Sequence, residues 1–133
     1  MKTTDFFCPG SILDVRVDNT HPVGYGMPET ASGFFARGSA FEIRGNNFAP
    51  GGQVRTIVKY AGDYLLQSGW ILGEQHLYNR AAAVDVTMQK GHVILFGFRV
   101  QNRAQPHGTF KLFFNSLYYG PAAISRFQTG RCN

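Results

Sequence analysis

The sequence predicts an α+β domain: a mostly antiparallel sheet with one or two helices packed on it. Three observations carry that prediction. Several segments alternate apolar and polar residues with a period of two, the signature of half-buried strands. A single stretch near the C-terminus repeats apolar residues at helical spacing. The chain also combines 12 Phe with 16 Gly, and such a mixture favours strands and tight turns over long helices.

Taken in order, Ser11 to Asp18 alternates, with Leu13, Val15 and Val17 on one side and Ile12, Asp14, Arg16 and Asp18 on the other. Asn19-Thr20-His21-Pro22 ends this strand as a turn, and Gly24 to Pro28 continues the loop. Phe34 to Ala36 and Ala40 to Arg44 read as short strands. Gly45 to Gly52 is a loop rich in Asn, Gly and Pro. Gln53 to Tyr60 alternates again. Between Asp63 and Leu77, Ser68-Gly69-Trp70 and Leu72-Gly73-Glu74 suit turns between short extended pieces.

Ala81 to Met88 alternates cleanly, Gln89-Lys90-Gly91 is a hairpin turn, and His92 to Val100 follows as a strand with few polar residues. Its composition predicts burial on both faces. The helix comes next. Pro106 suits its first turn, and Thr109 offers an alternative cap. Phe110, Phe113, Phe114 and Leu117 form the apolar stripe, with Lys111 and Asn115 opposite, and Gly120-Pro121 stops it. Residues 1–120 are read as one domain and 121–133 as a tail. A chain of 133 residues is the size of a single domain.

The 13 Lys and Arg give a formal net charge of +5 but stand singly along the chain, so no nucleic-acid partner is expected. No apolar run approaches the roughly 20 residues of a membrane span, and the N-terminal residues lack the apolar core of a signal peptide. A cytoplasmic location is expected for the chain as given. Its two cysteines, Cys8 and Cys132, are too few for a disulfide framework, and spacing alone leaves their pairing open.

The candidate chemistry is sparse. No pair among His21, His76, His92 and His107 has zinc-ligand spacing. Glu74 and His76 alternate and would share a face on a strand, which makes them the candidate metal ligands. Ser11, Ser68 and Cys8 lack the context of an activated nucleophile. Arg99, Arg103 and His107, each four residues from the next, flank the start of the helix. They could gather an anion there, or serve structurally, with Arg99 paired to Glu42 or Asp85 and His107 capping the helix.

The run from Lys90 to Asn115, KGHVILFGFRVQNRAQPHGTFKLFFN, resembles the C-terminal region of large bacterial zinc-carboxypeptidase-like proteins of the M14 type. These carry a glutamine-amidotransferase-like (ThuA-like) module after the peptidase domain. Cys8-Pro9-Gly10-Ser11, His21 to Met27, Ser68-Gly69-Trp70 and Leu72-Gly73-Glu74 are similar to the same region in order. Val100 stands where the family pattern has Pro, and His92 where it has Arg.

The resemblance implies a partial amidotransferase-like sheet. It also implies a truncated accessory domain, because the peptidase's H-x-x-E zinc site and the amidotransferase nucleophile have no counterpart in the chain. The full-length proteins it resembles are expected to include exported ones. A sheet cut short would leave edges and apolar surface that seek a partner, so a homo-oligomer, most simply a dimer, is expected. The alternative expectation is a stand-alone small hydrolase of esters, lactones or amides. It would have a site at an oligomer interface built from His21, His76 or His107, with a divalent metal as an optional cofactor.

Overall fold

The computed structural model describes residues 5–44, 52–88 and 91–122. Six strands and one helix make up its regular structure. The strands are β1 (Ser11–Val17), β2 (Thr30–Phe35), β3 (Gln53–Tyr60), β4 (Leu66–Ser68), β5 (Ala81–Met88) and β6 (Gly91–Phe96). The helix is α1 (Phe110–Tyr119). The strand pairings are all antiparallel among the described residues, in the order β2-β1-β3-β5-β6, with β4 on β1.

β1 is central because its alternation gives one buried row, Ser11, Leu13, Val15 and Val17. Both of its edges are hydrogen-bonded, one to β2 and the other to β3 and β4. The sheet curls. After β6 the chain turns at Gly97, and Arg99 N–H donates to the carbonyl of Phe34 on β2 at 2.9 Å. This contact brings the far end of the sheet back to its first strand. Inside the curl, Leu13, Val15, Phe35, Ile57, Tyr60, Leu65 and Leu112 are fully buried. Phe35 meets Tyr60 edge-on at 5.8 Å between ring centres.

Several expectations are corrected by this arrangement. β2 begins at Thr30, ahead of its aromatic pair, because Thr30 to Gly33 pair with Leu13 to Arg16 despite a small and polar composition. Within Ala40 to Arg44 only Phe41 bridges the sheet, at Ala81. The strand expected over His92 to Val100 ends at Phe96. It is not buried on both faces either: Val93 and Leu95 are exposed on the outer face, while Ile94 and Phe96 pack inward.

The helix is rotated from the expected stripe. Leu112 is its one fully buried residue among those described, whereas Phe114 and Leu117 are more than half exposed. The reason is polar docking. Asn115 donates to the carbonyls of Val23 and Tyr25 at 3.0 Å each, and Lys111 donates to Gly26 O at 2.8 Å. These two side chains therefore face the 22–26 loop and not open solvent. Thr109 does not cap; its hydroxyl donates to Val100 O and Pro106 O. The hairpin turn at Gln89 and Lys90, the loop over 45–51 and most of the tail, 123–133, lie outside the described residues. No helix among them is long and apolar enough to cross a membrane.

Candidate functional site

Asp85 is the lone carboxylate in an apolar strand, Ala81-Ala82-Ala83-Val84-Asp85-Val86, and it is 4 % exposed. A buried carboxylate needs partners. Asp85 sits opposite Ile94 and His92 opposite Thr87, so Asp85 and His92 lie diagonally on one face of the β5–β6 pair. His92 Nδ1 stands 3.0 Å from Asp85 Oδ1. From the loop after β1, His21 Nε2 reaches Asp85 Oδ2 at 3.2 Å. Tyr119, the last residue of α1, meets His21 edge-on with ring centres 5.2 Å apart and lies tilted against His92 at 4.3 Å.

The tautomer of His21 follows from the geometry. Val23 N–H donates to His21 Nδ1 at 3.2 Å, so Nδ1 carries no proton and Nε2–H is the donor to Asp85. Gly24 completes this turn. A Cβ there would run onto the carbonyl oxygen of Asp18, so the backbone approach that places His21 requires glycine. Beside the cluster, the Thr20 hydroxyl and Arg55 hold the Asp18 carboxyl down at about 2.

Burial lowers the His21 pKa, and this outweighs the opposing pull of Asp85. The same burial, with the Asp85 charge added, raises the Tyr119 phenol. The sign for stability follows. Below about 6.5, the ordinary histidine value, the unfolded chain takes up a proton at residue 21 that the folded chain resists. The His21 contribution is therefore complete above that pH and is lost as the pH falls through the lowered folded value. We expect the urea midpoint to drop between about pH 7 and about pH 5, and the drop to shrink in His21→Asn. An unchanged slope in that variant would remove His21 from the account. The Asp18 contribution belongs to a lower window, below its ordinary 3.8.

The other predicted site residues are dispersed. Arg99 does not pair with Glu42 or Asp85; it donates to Ala36 O at 3.2 Å and to Asn102 Oδ1 at 3.0 Å. Glu42 is taken by Arg44 and Arg80, and Asp85 by the two histidines. His107 does not cap α1; its Nε2 meets Ala104 O at 2.6 Å. Arg103 is exposed and has a left-handed backbone, as does Ala104. Arg99 and His107 thus hold the junction's own polar groups.

Glu74 and His76 share a single helical turn rather than a strand, so their side chains diverge, and Glu74 accepts from Tyr78 at 2.7 Å. Ser11 Oγ bridges Trp70, donating to its carbonyl and accepting from its amide. Cys8 is buried with its thiol directed at Phe35 O, and Cys132 lies outside the described residues. Among the described residues no group of three or more His, Cys, Asp or Glu is arranged to hold a metal ion. Comparison of the chain with protein-family models, curated proteins and solved structures returns no match.

Of the cluster, sequence reasoning had singled out His21 as a site residue. The signal it passed over was the solitary Asp85 inside an apolar strand, with His92 at diagonal range across the hairpin.

Proposed function

We propose that the chain is a non-catalytic accessory or interaction domain, of the kind its resemblance to the C-terminal module of bacterial M14 carboxypeptidase-like proteins implies, and that it acts as a homodimer. One observation carries this reading. The only buried constellation of acid–base groups seen among the described residues is spent internally. Asp85 is shared by His21 and His92, and among the described residues no buried side-chain polar atom is left without a partner. Groups arranged in this way tie α1 and the 21–26 loop to the sheet.

The dimer draws support from the outer face of β5 and β6, where Met88, Val93 and Leu95 stand exposed beside one another at the end of the strand order. In light scattering after size exclusion we expect twice the monomer mass, and the monomer mass for Leu95→Asp. A wild-type chain that stays monomeric at high concentration would overturn the dimer.

A second reading, a small hydrolase, rests on the orientation of His92. Its Nδ1 faces a buried carboxylate, the arrangement that orients an imidazole as a general base. The purified chain tested with esters, lactones and amides separates the two. Turnover lost in His92→Ala with the fold intact favours the hydrolase, and no turnover favours the accessory domain.

A further inference from the structure

A cleft of ≈ 430 Å³ opens between the N-terminal segment, the 38–42 segment and the turn after β4. That volume is within the range of small-molecule sites, roughly 300–1,000 Å³. Its apolar side is formed by Phe6, Phe35 and Leu77, with Phe6 and Phe35 edge-on at 6.0 Å. Its polar side is formed by Glu42, His76 and Arg80.

The charges on the polar side do not balance. Glu42 holds Arg80 through Nη1 at 2.9 Å, and it also holds Arg44 through Nε at 3.1 Å. Two guanidinium groups therefore share one carboxylate, which leaves one positive charge in excess at the mouth of an aromatic cleft. Each guanidinium has five N–H donors, more than one carboxylate can engage. The side chains of Glu42 and Arg80 are 48 % and 42 % exposed, so an incoming group reaches them without unfolding anything.

We infer that this cleft binds a small organic monoanion: a carboxylate head on the Arg80 side with an apolar or aromatic body against Phe6. The half-buried Phe6 ring packs against the body, and the unshared donors of Arg80 recognise the head. Glu42 acts as an internal competitor, a carboxylate already occupying the same guanidinium. This site is separate from the His21–Asp85–His92–Tyr119 cluster and does not depend on the accessory-domain reading.

The test uses hydrocinnamate as probe and hydrocinnamyl alcohol, its neutral counterpart, titrated into the full chain by calorimetry and by backbone-amide NMR. We expect saturable hydrocinnamate binding in the millimolar range or tighter, at least about fivefold stronger than the alcohol. Amide shifts should fall on Ser39, Ala40, His76 and Leu77. Arg80→Gln should abolish the preference for the carboxylate, whereas Glu42→Gln should tighten hydrocinnamate by about twofold or more by releasing Arg80.

Both substitutions are at partly exposed side chains, the backbone hydrogen bonds of Arg80 stay in place, and circular dichroism checks that each variant keeps the fold. No saturation up to about 20 mM, equal binding of acid and alcohol, or weaker binding in Glu42→Gln would each overturn the site.

Discussion

Asp85→Ala is expected to lower the unfolding free energy by about 3 kcal/mol, because the loss of one carboxylate leaves two buried imidazoles without their partner. The wild-type carboxylate accepts from His21 Nε2–H at 3.2 Å and pairs with His92 Nδ1 at 3.0 Å. His21 cannot rotate to a new acceptor without giving up the Val23 amide. Asp85→Asn should cost less, about half as much, since an amide keeps one acceptor oxygen and His92 can change tautomer to meet its NH₂. The damage should be local before it is global. His21 and Tyr119 belong to the 21–26 loop and the end of α1, so hydrogen exchange in Asp85→Ala should rise there first, while the β1–β2 pairing stays protected. Equal stability of Asp85→Ala and wild type, by urea unfolding, would mean that the cluster contributes nothing to the fold.

That cluster also explains which parts of the molecule could be read from residues alone. Period-two alternation is a local property, so β1, β3 and β5 were legible from Ser11 to Asp18, Gln53 to Tyr60 and Ala81 to Met88. The antiparallel class followed from those strands, and Met88 pairs with Gly91 between β5 and β6. β2 was only half legible. Thr30-Ala31-Ser32-Gly33 has little strand propensity and is a strand because β1 offers it an edge, which is tertiary context overriding local preference. The face of α1 was misread for a similar reason. Counting apolar residues puts Phe114 and Leu117 inward, but the hydrogen bonds from Asn115 and Lys111 to the 22–26 loop turn the helix the other way. The site was least legible because its members are 21, 85, 92 and 119, and only the curl of the sheet brings them together. The Arg99, Arg103 and His107 spacing suggested an anion site, but four-residue spacing gathers side chains only on a helix, and these residues precede α1.

Gly97→Ala is expected to be as costly as the loss of Asp85, about 3 kcal/mol or more, and for a different reason. Gly97 is buried where the chain leaves β6. Its amide donates to Ala82 O at 2.7 Å, and its carbonyl accepts from Ser39 N at 2.7 Å. A Cβ at this position would collide with the carbonyl oxygen of Ser39 and lie 3.1 Å from that of Ala82. Both are backbone atoms on opposite sides, so neither can yield by rotating a side chain. Relief requires the 38–41 segment to move away. That movement would break the Ser39 bond, loosen the Phe41–Ala81 bridge and misplace the turn that carries Arg99 to Phe34. For a domain of this size the thermal midpoint should fall by about 10 °C. Gly108→Ala is the matched control. Nothing lies within 4 Å of a Cβ there, so its effect should stay within about 0.5 kcal/mol. If Gly97→Ala unfolds at the wild-type temperature, the closure of the sheet at Gly97 is not what holds Arg99 against Phe34. If it is destabilised while Gly108→Ala is not, the curl rests on the close approach of two backbones that only glycine permits.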